Sequence, residues 1–302
     1  MNTFYNSLLD ITSPKNIFQN EPMKNHTTFK VGGNADYFIC PSTPQEVISI
    51  IHLCQENNLP FYVIGKGSNL LVADSGYRGV IIQTNKNLNH LEVKGNEIIA
   101  QAGASLLAIS DLAIENSLTG FEFASGIPGS LGGACIMNAG AYDGEMKLVL
   151  KEVTALDENY ELKVFKGEEM GLGYRTSIFS QKGYIVLAAV IALKEGNQEE
   201  IQAKVDDLTK QRESKQPLEY PSAGSTFKRP VGHFTGKLVR EAGLSGKMVG
   251  GAMVSTKHNG FIINAKNATA ADVVNLIDLV IATVKEKFDV TLEPEVKRIG
   301  EF

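Results

Sequence analysis

Apolar residues recur at helical spacing in three stretches of the chain and form short unbroken runs between them. Over 43–57 (TPQEVISIIHLCQEN), Val47, Ile50, Ile51 and Cys54 share one face of a 3.6-residue repeat, which predicts an amphipathic helix. Thr43 is placed to cap it, Pro44 suits its first position, and Glu46 completes a T-x-x-E capping box. The same pattern predicts helices over 105–116 (SLLAISDLAIEN) and 269–288 (TAADVVNLIDLVIATVKEKF), the latter with Thr269 and Asp272 at capping spacing. A polar, charged helix over 197–215 (NQEEIQAKVDDLTKQRESK) has the character of a connector. Pro217, Pro221 and Pro230 mark a new unit beyond it. FYVI at 61–64, GVII at 79–82, IIAQAG at 98–103 and YIVLAAVIAL at 184–193 read as strands, and VTALDENYELKVF at 153–165 reads as a hairpin. Residues 1–24 read as an irregular or loosely helical arm. Strands alternating with helices argue for an α/β or α+β fold, and periodicity leaves both open.

Composition narrows the class. The 302 residues are 43% hydrophobic and 21% charged, with a net charge of -5, and so lack the overall basic balance of a general nucleic-acid binder. The longest apolar run is too short to span a bilayer, and the N-terminal MNTFYNSLLDITSPKN lacks the basic and apolar regions of a signal peptide. The three cysteines, Cys40, Cys54 and Cys135, form no C-x-x-C pair. These features point to the cytoplasm, to no membrane insertion, and to no metal site.

Glycine changes the picture, because the 29 glycines cluster. GKGSNLLV at 65–72 follows a strand, and its small residues suit a nest of backbone N–H groups for phosphate oxygens. Leu70 stands where a third glycine of G-x-G-x-x-G would be, so a dinucleotide-binding Rossmann fingerprint is not supported. GIPGSLGGACIMNAGAYDG at 126–144 holds six glycines that no apolar repeat explains; close approach of backbone to a flat or phosphorylated cofactor would explain them. Pro128 breaks the G-x-S-x-G pattern around Ser130, which argues against a hydrolase serine. Three further segments carry polar groups: GYRTS at 173–177, SAGSTFKRP at 222–230 and LEPEVKRIG at 292–300. Taken singly, each also admits an ordinary reading: a solvated Arg175, an incidental Ser225, a solvated Glu293–Glu295 pair.

Together these segments, with NHTTFKVGG at 25–33, resemble the UDP-N-acetylenolpyruvoylglucosamine reductase (MurB) family in order and register over nearly the whole chain. The resemblance implies an α+β fold: an FAD-binding region of the vanillyl-alcohol oxidase/PCMH type with two α+β subdomains, and a C-terminal α+β substrate-binding domain. It sets expected boundaries of 1–24 (arm), 25–195 (FAD binding, subdividing near 80–90) and 196–302 (substrate binding), with 294–302 able to pack back on the FAD half. It implies non-covalent FAD contacted by Gly65, Lys66, Gly67, Ser68, Asn69, Leu70, Gly126, Ile127, Pro128, Gly129, Ser130, Gly132, Gly133 and Asn138, with Cys135 merely packed. It further implies NADPH as reductant and a UDP-sugar as substrate, in the synthesis of peptidoglycan precursors. Ser225 matches the family's general acid, and Arg175 and Glu295 the pair supporting the enol intermediate. Lys215, Lys228 and Arg229 are candidates for neutralising substrate charge. The chain resembles the shorter subtype, because GYRTSIFSQKGYIVLAAV runs on without the insertion that carries a substrate-covering tyrosine in some members. The competing readings are a sugar or aldehyde oxidase of the same fold and a catalytically silent flavin-binding module.

Overall fold

The computed structural model describes residues 3–302, and its chain forms two compact units that interleave along the sequence. The first unit holds the described residues through Phe18, Phe38–Lys66 and Val80–Arg212. The second holds Gln19–Tyr37, Gly67–Gly79 and Glu213–Phe302. The expected boundaries at 24/25 and 195/196 are linear, whereas these units are not.

In the first unit, the helix Pro44–Glu56 begins where the cap predicts. Thr43 is extended, its hydroxyl accepts from the Glu46 N–H at 3.1 Å, and Val47, Ile50, Ile51 and Cys54 are fully buried. The Glu46 carboxylate reaches one residue further back than a capping box requires, accepting from Ser42 N–H at 2.8 Å. Phe61–Ile64 pairs in parallel with Val80–Gln83. A five-stranded antiparallel sheet follows, in the order Leu162–Lys166, Leu150–Leu156, Ile185–Ala192, Glu97–Gln101, Leu91–Lys94. Ile185–Ala192 is its central strand, which explains a run that is apolar on both faces. The hairpin turn is closed by Asp157, whose Oδ1 accepts from the N–H groups of Asn159 and Glu161. Ser105 caps the helix Leu106–Glu115, whose Leu106 and Ile109 join Ile98, Leu131, Val153 and Ile191 in one core. The charged helix Gln198–Lys215 buries only Ile201 and Val205, beside Ile114.

At the N-terminus, the described part of the expected arm is regular. Thr3–Ile11 is helical because Phe4 and Leu8, four apart, are both buried, and Ile17–Pro22 is a strand. Met1 and Asn2 lie outside the described residues.

In the second unit, a small antiparallel sheet (Met248–Val249, Ala252–Val254, Ile262–Asn264) packs on the long helix Ala270–Phe288. That helix starts at a reciprocal cap: the Thr269 hydroxyl accepts from Asp272 N–H, and the Asp272 carboxylate from Thr269 N–H, each at 3.0 Å. The Asp74 carboxylate takes the next two donors, from Ala270 and Ala271, at 2.8 and 3.0 Å. Lys297–Ile299 pairs in parallel with Leu70–Val72, and Phe29, Val31 and Leu71 share a core with Phe227, Leu238, Leu276 and Val280. This pairing and this core put 19–37 and 67–79 in the same unit as the C-terminal segment. Among the described residues, no helix is long and apolar enough to cross a membrane.

Candidate active site

In the first unit, the expected site residues of the Gly-rich segment are fixed by backbone bonds. Residues 129–132 are sewn to 102–106: Leu106 N–H donates to Gly129 O at 3.2 Å, Leu131 N–H to Ala104 O at 2.9 Å and Gly132 N–H to Ala102 O at 2.8 Å. Ser130, extended and buried, starts a short helix, Leu131–Met137, that the glycine density conceals in the sequence. Ser130 is no exposed nucleophile. Its hydroxyl instead fills the space over Gly65, where a Cβ would stand 1.9 Å from Ser130 Oγ. Gly126 gives way to a side chain absent from the expected site, Arg212. A Cβ on Gly126 would lie 2.9 Å from Arg212 Cδ, and burial holds the Arg212 guanidinium below its ordinary value. Pro128 is exposed at the turn and Ile127 is half-buried. Gly133 differs from its neighbours: it is exposed in the first turn of the helix, and a Cβ there would meet nothing within 4 Å. Cys135, on the same helix, is fully buried and burial pushes its thiol up, so it is a packed side chain.

Arg175 sits in the same unit, at the tip of a tight hairpin in which Gly173 and Thr176 bond each other. Its φ of 54° lies in the left-handed region, a conformation that a non-glycine residue holds only when its surroundings fix it. Its guanidinium donates to Gly140 O at 3.3 Å and lies over the Tyr174 ring. Asn138, expected at the cofactor, spends its side chain elsewhere. Its Nδ2 donates to Gly173 O and to Glu145 Oε2, each at 3.0 Å, and its Oδ1 accepts from Lys147 N–H at 2.8 Å. After the hairpin the chain passes through the short helix Ile178–Lys182 straight into Ile185–Ala192, with no insertion.

The second unit brings together three segments that are far apart in sequence. Residues 226–228 lie antiparallel to 293–295: Glu295 N–H donates to Thr226 O at 2.8 Å, Lys228 N–H donates to Glu293 O at 2.9 Å, and Phe227 faces Pro294. Ser225, exposed, therefore stands one residue from the contact made by the half-buried Glu295. Asn69 closes the group, its Nδ2 donating to Glu295 O at 3.1 Å while its own carbonyl accepts from Lys297 N–H at 3.0 Å. The preceding Gly67 has a φ of +63°, and a Cβ there would lie 2.1 Å from His26 O; Thr28 N–H donates to Gly67 O at 3.4 Å. NHTTF thus braces the loop, a role its sequence does not advertise. Leu70 is buried at the start of the strand paired with Lys297–Ile299. Of the cations, Lys228 is ion-paired with Glu293, Arg229 stacks on the Phe234 ring at 3.9 Å, and Lys215 is exposed at the end of its helix.

Whether FAD suits these residues is testable on two features. No acceptor among the described residues takes the N–H groups of Gly67, Ser68 and Asn69, which suits phosphate oxygens. The open space over Gly133, kept clear at a cost in helix propensity, suits a large flat group. The residues fit the cofactor.

Comparison with known proteins agrees. A family model of the C-terminal domain of UDP-N-acetylenolpyruvoylglucosamine reductase matches residues 216–299, and one described as an FAD binding domain matches residues 35–164. The reductase of that name from Geobacillus kaustophilus is 55% identical over 297 residues, covering 98% of this chain and 97% of its own length. The chain belongs to the UDP-N-acetylenolpyruvoylglucosamine reductase family. Its relative in Clostridium beijerinckii is 56% identical over 279 residues, covering 92% of this chain and 91% of that one. The crystal structure of the Thermus caldophilus reductase of this family superposes with a TM-score of 0.80 at 34% identity, covering 94% of this chain and 98% of that one. An alkyldihydroxyacetonephosphate synthase shares the fold at a TM-score of 0.50 and 15% identity, over 65% of this chain and 40% of its own. The family's α+β, FAD-binding architecture is thus the architecture of this chain.

Proposed function

We propose that this chain reduces UDP-N-acetylglucosamine enolpyruvate to UDP-N-acetylmuramate with NADPH, a step in making peptidoglycan precursors. The observation that carries the proposal is the antiparallel seating of Thr226–Lys228, the residues that follow Ser225, on Glu293–Glu295, with Asn69 bonded to Glu295 O. It supports the reading because it brings segments next to Ser225, Glu295 and the 67–69 loop together from three parts of the sequence.

Bound FAD would supply the redox chemistry, hydride transfer between NADPH and the enolpyruvyl group. The N–H groups of Gly67, Ser68 and Asn69 would hold its phosphates, and the open face of Gly133 would admit a flat group. Arg212, desolvated beside Gly126, adds a fixed positive charge to that region. Negative charge then develops on the carbon next to the substrate carboxylate. Arg175, always charged and presenting a planar fork, stabilises that charge; one such donor is worth roughly 10²–10³ in rate. Glu295 steadies the enol oxygens, and the exposed Ser225 hydroxyl delivers the proton that completes the reduction. Lys215 and Arg229, both exposed, and Lys228, ion-paired with Glu293, are the candidates for neutralising the diphosphate. The nucleotide substrates and three buried cysteines that form no disulfide support a cytoplasmic setting. No observation favours a sugar or aldehyde oxidase or a silent flavin module.

The test is direct. The purified protein should be yellow and should consume NADPH rapidly only when the enolpyruvyl sugar is present. Ser225→Ala should retain the flavin and its reduction by NADPH but stall on the sugar. A yellow protein indifferent to the sugar would sink the proposal and return the oxidase and silent-module readings.

A further inference from the structure

The hairpin that carries Arg175 has no core of its own, yet its tip holds a non-glycine residue in left-handed backbone. Something outside the hairpin must fix it. Both of its flanks are tied to one place, the C-terminal end of the helix Leu131–Met137. On one side, Gly173 O accepts from Asn138 Nδ2 at 3.0 Å; on the other, the fully buried Ser177 donates from its hydroxyl to Ile136 O at 2.6 Å. Asn138 is itself fixed. It is 1% exposed, ends the helix in left-handed backbone (φ 44°), and has both amide hydrogens and its oxygen engaged by Gly173, Glu145 and Lys147. Two acceptors on one side of the amide and one donor on the other settle its orientation. Such a side chain has no donor left to offer a flavin.

We propose that Asn138 is a positioning residue for Arg175: it acts on sugar reduction by fixing the Gly173–Thr176 hairpin, and it does not bind the cofactor. The inference rests on the role given to Arg175 above. Its physical content is selectivity. Releasing Gly173 O lets the hairpin tip wander, and a misplacement of about 1 Å in a reacting constellation costs on the order of a hundredfold in rate. Flavin binding and flavin reduction by NADPH do not use the hairpin and stay as they are.

The informative variant is Asn138→Gly, because glycine accepts the left-handed backbone and removes only the side chain. In the flavin-loaded enzyme, stopped-flow measurement should show flavin content and reduction by NADPH at wild-type levels. Reoxidation by the enolpyruvyl sugar should slow ten- to a hundredfold. Asn138→Asp, which keeps the acceptor for Lys147 N–H and loses both donors, should behave the same way and serves if the glycine variant does not fold. In an Arg175→Lys background, Asn138→Gly should add almost nothing to the defect, since both changes disable the same group. Wild-type reoxidation in the Asn138 variants, loss of flavin, equal slowing of both half-reactions, or full additivity with Arg175→Lys would each overturn the inference. If Arg175→Lys itself leaves reoxidation untouched, the role of Arg175 falls and this inference with it. If Arg175→Lys stalls the enzyme but the Asn138 variants do not, only the inference falls.

Discussion

Gly65→Ala places a methyl group 1.9 Å from Ser130 Oγ and 3.2 Å from Ser130 Cβ. The first distance is impossible and the second merely tight, so the hydroxyl oxygen is the whole obstacle. Ser130 cannot retreat, because Leu131 and Gly132 are bonded to the 102–104 backbone and Ala134 N–H to its own carbonyl. Either the hydroxyl rotates into a poorer position or the two segments part, and overpacking of this kind costs about 1–3 kcal/mol. For a domain of 150–250 residues each kcal/mol is worth about 2–4 °C of melting temperature, so Gly65→Ala should melt roughly 2–12 °C lower. Ser130 makes no side-chain bond to the helix it starts, so Ser130→Ala alone should change little. The double variant should recover most of the loss, giving a coupling of about 1–2 kcal/mol in a cycle followed by far-UV circular dichroism. Singles that add to within about 0.5 kcal/mol would refute the steric account. A double variant that melts normally but no longer takes up FAD would show that Gly65 serves the cofactor as well as Ser130.

Gly133→Ala should stabilise the apoprotein by up to about 1 kcal/mol through helix propensity while weakening FAD binding, read by flavin titration; unchanged affinity would remove Gly133 from the cofactor surface. Thr226→Val should cost about 1–3 kcal/mol in denaturant unfolding, because the buried Ile262 N–H loses the hydroxyl it bonds at 2.9 Å, while Thr226→Ser should not. A valine variant as stable as wild type would count against that bond. The Asp272 carboxylate is held below the ordinary range mainly by the N–H groups of Thr269 and Gly251. The unfolded chain therefore binds its proton first, and its stabilisation is complete above about pH 4 and fades as pH falls through the lowered folded value. Asp272→Ala should cost about 0.5–2 kcal/mol at neutral pH, with the gap to wild type closing on acidification; a gap constant through the acid range would refute this.

Local signals were the legible ones. Thr43 and Thr269 announce helix starts because a cap is a contact over three residues, and both caps form. The helix Leu131–Met137 was hidden because its sequence, LGGACIM, spends two positions on poor helix formers, and tertiary bonds to Ala102 and Ala104 hold it instead. Arg212 was lost among the charges of KQRESK, since nothing local says that its stem packs on Gly126. The resemblance alone sets Asn138 near the cofactor, and nothing local tells that its side chain bonds Gly173, which is remote in sequence. The segments 67–70, 225–228 and 293–297 could be named one by one from their motifs. Their hydrogen-bonded assembly is a long-range fact that no period or spacing encodes.

The interleaving of the two units has a consequence for synthesis. Phe29 and Val31, both buried, share their core with Leu276 and Val280. At about 5–20 residues per second, the ribosome takes roughly 10–50 s to travel from the first pair to the second. Throughout that interval the early pair is apolar chain without its native cover. The nascent protein thus has a fixed window of exposure that faster folding elsewhere cannot shorten. A fragment released at Arg212 would carry that exposure permanently, with Leu71 added to it, and would be a substrate for chaperones and proteases.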